Sequence, residues 1–233
     1  MSFTPPSKSA DLVKGIPFGE AIDTAVVAKK RYDQFDNSGT RDPNLFKALL
    51  QFPNHGAVFW SSKMAVDADG PAAGPNQLNG KQLDPANGQN GTSFHLSNGS
   101  FLSSEAVRYI VLPEDIHDNK QPFHPDLALG DVAVVIYRDK MTTAICGDMG
   151  PVVKIGEGSI ATHVGLKGAA PDPCKRDSPD GPCKGIHDSS IEQDVLFFVF
   201  PRSAFGSELT ASNLEMKVKE RASALFDKLR GVT

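Results

Sequence analysis

A chain of 233 residues with 39% hydrophobic and 22% charged residues is long enough to bury a sizeable core, and its balance is that of a folded globular protein rather than a disordered one. A net charge of -4 with no clustered Lys/Arg surface excludes a general nucleic-acid binder, and no apolar run reaches the roughly 20 residues a membrane-spanning helix needs. The 21 Gly and 17 Pro are more turn formers than a helical bundle carries and point to β structure with long loops.

Residues 1–20 read as a Pro- and Ser-rich lead-in, and 21–233 as a single domain behind it. MSFTPPSKSADLVKG lacks the charged segment, apolar core and cleavage site of a secretory leader, so an intracellular protein or an already mature chain is expected. AIDTAVVAKKRYDQF (21–35) carries its apolar residues at helical spacing, and Asp42 as N-cap with Pro43 behind it predicts a second short helix to about Gln51. Between them Asp33, Asp36, Asn37 and Ser38 lack EF-hand spacing and read as a solvated turn.

HGAVFWSSKMAVDAD (55–69) predicts strands over Ala57–Trp60 and Lys63–Asp67, or one bent strand. A long polar loop, 70–91, follows. Thr92–Leu96 is a candidate strand, and AVRYIVLP ends at Pro113 as a buried strand should. After a second polar excursion, DVAVVIYRDKMTTAI reads as one or two strands that deliver Asp148 to a sheet exit. Glu157 and Ser159 then open IATHVGL, a helical turn or a further strand. A third loop holds Cys174 and Cys183, which bracket KRDSPDGP and could close as a small disulfide in an oxidising compartment. Cys146 is left single and reads as a buried small hydrophobe. DVLFFVFP is the clearest apolar strand, and Leu214, Val218, Ala222, Leu225, Phe226 and Leu229 predict an amphipathic C-terminal helix with Ser212 as its N-cap.

Chemistry concentrates in ICGDMGPVVKIGEGSI (145–160), where Asp148 and Glu157 stand nine positions apart with Gly150, Pro151 and Gly156 between them. Inverting hydrolysis of a glycosidic bond needs one protonated carboxyl and one carboxylate that activates water, and a hairpin-like return would bring this pair to one cleft wall. If Glu157 opened a helical turn, the helix dipole would favour its carboxylate, while Asp148 after an apolar strand would favour the protonated form. On that basis Asp148 is the acid and Glu157 the base. Spacing alone favours a turn aspartate and a capping glutamate. Lys154 could hold either carboxylate ionised, although a solvent-facing side chain is the expectation.

Other constellations are weaker. Ser159 and His163, with Asp148, imitate a hydrolase triad, but the G-x-S-x-G elbow is absent. His117, His124 and His187 lack metal-ligand spacing, so no metal is expected, and neither a P-loop nor a dinucleotide fingerprint occurs. Trp60 could stack on a sugar face or simply pack.

The run of KMAVDADG (63–70), GTSFHL (91–96), VRYIVLP (107–113), GDVAVVIY (130–137), GDMGP (147–151) and KIGEGS (154–159) resembles the chitosanases of glycoside hydrolase family 75 over roughly residues 55–166. The resemblance implies an endo-acting, inverting hydrolase of β-1,4-linked glucosamine polymers. It implies no metal or organic cofactor, a secreted protein, and Asp148 and Glu157 as the catalytic pair. Asp67 and Asp69, in its D-x-D-G stretch, become candidates for contacts to the substrate's ammonium groups, with loop capping as the alternative. GDMGP is also distantly similar to the Asp-bearing turn in double-psi β-barrels of lytic transglycosylases. The expected fold is thus mainly β with flanking helices (α+β), a double-psi-like β-barrel carrying the C-terminal helix. A monomer acting on a polysaccharide, with no nucleic-acid or membrane partner, is expected. A non-catalytic cell-wall glycan-binding barrel, or a hydrolase of another amino-sugar polymer such as peptidoglycan, are the alternatives.

Overall fold

The structure, a computed structural model, describes residues 3–23, 48–71, 89, 91–113, 127–150, 154–166, 168, 170, 172–179, 181, 183–187 and 190–232. Within these residues the β-branched and aromatic runs form eight strands: β1 Ile22–Asp23, β2 Ala48–Phe52, β3 Ala57–Asp67, β4 Tyr109–Pro113, β5 Val132–Tyr137, β6 Lys140–Gly150, β7 Glu157–Ser159 and β8 Ile191–Phe200. They pair in the order β1-β2-β3-β7-β4-β6-β5-β8, and β8 also pairs with β3. Six strands, β3 to β8, therefore close a barrel, which removes the free edges an open sheet would expose. The pairing is mixed. β3–β7 and β4–β6 run parallel, whereas the other ring pairs are antiparallel.

Alternation along each strand divides the apolar residues between two faces. Trp60, Met64, Ile110, Leu112, Ala133, Val135, Ala144, Cys146, Val195, Phe197 and Val199 form one buried cluster that includes no residue of the C-terminal helix. This is the barrel interior. Phe59, Val111, Val134, Ile136, Ile145, Leu196 and Phe198 point the other way, into a second cluster with Leu214, Val218, Ala222, Phe226 and Leu229. Those five are the buried face of helix α2, Leu214–Leu229, recurring at helical spacing. The helix lies against the outside of β5, β6 and β8, and Phe226 meets Phe198 at 5.2 Å between ring centroids. Each large side chain so enclosed contributes roughly 1.5–3 kcal/mol of burial. No helix among the described residues is long and apolar enough to cross a membrane.

The mainly β barrel and its packed C-terminal helix match the reading of the sequence, and the predicted strand around Lys63 is part of one continuous β3 with a register shift between Ser62 and Met64. Three local expectations are corrected. Ala48–Gln51 was expected to end a helix, but ALLQF is strand β2, paired residue for residue with β3 from Ala48–Ser61 to Phe52–Ala57. Cross-strand pairing and burial of Leu49, Leu50 and Phe52 outweigh the helix-favouring composition. Thr92–Leu96 contains only a single bridge, His95 to Phe101, rather than a strand. Helix α2 starts after Asn213, not Ser212, and has no side-chain cap. Residues 24–47, with the rest of both predicted N-terminal helices and the Asp33–Ser38 turn, lie outside the described residues, as do His117 and His124.

Candidate active site

Asp148 sits within the last turn-ward residues of β6, where the sequence placed it. The preceding Gly147 is required by packing: a Cβ there would fall 2.5 Å from the Tyr109 Cβ. Asp148 is 4% exposed, and three donors converge on its Oδ1: the Ser93 N–H at 2.9 Å, the Ser93 hydroxyl at 2.5 Å and the Met149 N–H at 2.8 Å. They fix the carboxylate's rotation and leave Oδ2 as the oxygen that takes none of these bonds.

Glu157 opens strand β7 rather than a helical turn. Ser159 is the residue that caps the short helix α1, Ile160–Gly165, by accepting the Thr162 N–H. The helix-dipole reason for an ionised Glu157 is therefore replaced by a direct one: the Lys154 ammonium lies 2.7 Å from Glu157 Oε1, both side chains being largely buried. This also corrects the solvent-facing expectation for Lys154. Gly156, at φ +87°, lets the chain between them pass against β3, since a Cβ there would lie 2.2 Å from the Lys63 carbonyl oxygen.

Strand β4 brings the two acids together. Val111 pairs with Asp148 on one side. On its other side Ile110 pairs with Gly158 in antiparallel register, so Glu157 lies level with Val111. The two carboxylates thus flank β4 on one face, two strand spacings apart, or about 9–10 Å between their Cα atoms. Val111 and Tyr109 belong to the outer cluster, so this face is the outside of the barrel wall. Glu157 Oε2 lies 3.0 Å from where a Cβ at Gly150 would be, which sets it against β6 two residues from Asp148.

Asp67, at the end of β3, and Asp69 complete the group. Asp67 Oδ1 accepts the Asp69 N–H at 2.7 Å, and Asp69 Oδ1 accepts the Gln89 N–H at 2.7 Å. The Tyr109 hydroxyl lies 3.2 Å from Asp67 Oδ1 and 2.9 Å from the Asp69 carbonyl, so its proton serves one of these acceptors. One carboxylate oxygen from each of Asp67, Asp69 and Asp148 lies within 4.8 Å of the others. A single cation, whether a metal ion or an ammonium, could bridge them.

This crowding governs protonation. Burial raises the Asp67 pKa from 3.8 to about 8, against the Asp69 N–H, and the charges of Glu157, Asp69 and Asp148 push the same way. Asp67 therefore carries a proton at neutral pH. Burial also raises Asp69, opposed by the Gln89 N–H. Tyr109 is pushed well above 10, first by burial and then by the carboxylates around it, so it remains a neutral donor.

The other sequence candidates fall elsewhere. Trp60, expected as a sugar platform or a packed ring, is fully enclosed in the barrel and stacked on Phe197 at 5.3 Å; no sugar can reach it there. His163 is buried with Nε2 3.3 Å from the Ala65 carbonyl, and burial lowers its pKa to about 4. Ser159 Oγ is bonded to Val107, Tyr109 and Thr162, so Ser159 and His163 are structural and form no triad with Asp148. Cys174 and Cys183, whose pairing the sequence left open, are joined. They pack with Ala68 and Ile160, supporting the backbone between Asp67 and Asp69 and the helix after β7. Cys146 is buried and free. Ser93 and Tyr109 are the site residues that sequence reasoning passed over, because nothing in local spacing ties Ser93 to a carboxylate 55 positions away.

A family model described as fungal chitosanase of glycosyl hydrolase group 75 matches residues 64–229, well over half the chain and every acidic residue of this site. No curated protein matches the chain. The match is enough to decide the family: the chain belongs to the group 75 chitosanases, which are glycoside hydrolases.

Proposed function

From membership in a chitosan-hydrolysing family, we propose that this protein is an endo-acting chitosanase that cleaves β-1,4-linked glucosamine chains with inversion, using Asp148 and Glu157. The observation that carries the reading is the placement of these two carboxyls on either side of β4, facing the same way. Glu157 Oε2 reaches toward β6 beside Gly150, so both carboxyls line one wall, as the acid and base of an inverting pair must. Lys154 beside Glu157 favours its charged form, so Glu157 is the base that takes a proton from the attacking water. Asp148 is the acid of this reading: a proton on Oδ2, the oxygen outside its three hydrogen bonds, passes to the glycosidic oxygen as the bond to the anomeric carbon breaks. Asp67 and Asp69 lie beside Asp148 as acceptors for a glucosamine ammonium. Because Asp67 is protonated at neutral pH, an arriving ammonium would displace that proton and take over its electrostatic role.

One observation favours a second reading. Asp67 and Asp148 carboxyl oxygens lie within 4.8 Å, closer than an inverting pair stands and inside the roughly 5 Å of retaining glycosidases, and Asp67 holds a proton it could donate. In that reading Glu157 and Lys154 are a structural pair. The enzyme acts outside the cell, a setting supported by the Cys174–Cys183 bond. Release of reducing ends from chitosan, with little from chitin or peptidoglycan, is the expected result. Preferential cleavage of either competitor would overturn the substrate assignment.

A further inference from the structure

Phe101 is the one aromatic among the large apolar side chains left exposed by the described residues, at 42%. Its ring is not loose. A Cβ at Gly91 would fall 2.6 Å from it, so the ring lies directly on the Gly91 backbone, and a larger residue there would have to push it aside. Leu102, next in sequence, is tied to this segment by its N–H on Thr92 Oγ1 at 3.0 Å. His95 pairs with Phe101 across the bridge, with ring centroids 4.8 Å apart.

The position of Gly91 gives this surface its meaning. Two residues before it, the Gln89 N–H holds Asp69. Two residues after it, Ser93 holds Asp148. Two residues of extended chain span at most about 7 Å, so the Phe101 ring rests on the middle of a short segment anchored at both ends to the acidic cluster. A pyranose offers a face of C–H groups to such a ring, and a glucosamine ammonium is drawn to the negative face of an aromatic.

We propose that the exposed part of the Phe101 ring, flanked by His95, is a stacking subsite for one glucosamine ring of the substrate, next to the short segment whose ends bond Asp69 and Asp148. The proposal rests on the chitosanase reading and adds to it a residue that sets how long chains bind. The ring is held in place before substrate arrives, so little ordering opposes the contact.

The test measures KM and kcat on glucosamine hexamer for Phe101→Ala, Phe101→Leu and Phe101→Tyr. Phe101→Ala should raise KM about tenfold, the size of one lost aromatic contact, with kcat within about twofold. Phe101→Tyr should restore KM, and Phe101→Leu, which keeps apolar bulk without a π face, should not. Wild-type KM in Phe101→Leu would overturn the subsite, as would a fall in kcat and melting temperature without a change in KM, which would make the ring a packing element. If the wild-type protein itself releases no reducing ends from chitosan, the chitosanase reading fails first, and that outcome is distinct from active protein with an unaltered Phe101→Ala.

Discussion

Asp148 and Glu157 are both almost enclosed, yet different groups hold them: three hydrogen-bond donors on one oxygen of Asp148, the Lys154 ammonium against Glu157. The Ser93 hydroxyl is the donor whose loss is easiest to isolate. Ser93→Ala should lower kcat roughly tenfold while leaving KM nearly unchanged, because it frees the rotation of Asp148 without touching the cleft's charge; steady-state kinetics on chitosan checks this. Asp67 makes a different prediction. Its pKa is raised to about 8 by burial, so between about pH 4 and 8 the folded state binds a proton that the unfolded state does not. Stability from this group is fully present below the unfolded value and is lost as pH rises toward 8. Asp67→Asn should therefore flatten the decline of melting temperature between pH 5 and 8.5 and be the more stable form at the alkaline end. An unchanged slope would mean that Asp67 is not the protonated carboxyl.

At the scale of elements, β4 is the spacer between the acids, and the disulfide loop is the brace behind them. Cys174 and Cys183, nine residues apart, close a short loop, and the double substitution to Ser should cost about 3 kcal/mol on loop-closure grounds. Since the bond packs on Ala68 and Ile160, activity should fall at temperatures well below the new melting point; thermal unfolding and activity measured together would show it. The same scale separates what was legible from what was not. DVAVVIY and DVLFFVFP announce strands because continuous β-branched and aromatic runs have no better use than a barrel wall buried on both sides. ALLQF does not, because Ala, Leu and Gln favour helix and only its pairing with β3 makes it extended. Strand β7 is three residues long, too short for any period to register, so the environment of Glu157 was misjudged although the residue itself was singled out. The Ser93 contact and the Tyr109 hydroxyl depend on chain segments 40 to 55 residues apart, a juxtaposition that local pattern cannot carry.

At the scale of the molecule, the barrel depends on helix α2 to cover β5, β6 and β8, and β6 is the strand that carries Asp148. Phe226, 1% exposed and packed on Phe198, anchors that cover. Phe226→Ala should cost about 3–5 kcal/mol in chemical denaturation, with KM at low temperature unaffected, because Phe226 packs on Phe198 of β8, whereas the acids stand on β6 and β7. The claim on which everything else rests is that Asp148 and Glu157, held two strands apart, invert the anomeric centre. Proton NMR of freshly cleaved chitosan tests it directly, run on the wild type and on folded Asp148→Asn and Glu157→Gln. The expected result is an α-anomer as first product, slowed about a hundredfold or more in each variant. A β-anomer as first product, or a Glu157→Gln protein that cleaves at the wild-type rate, would contradict it.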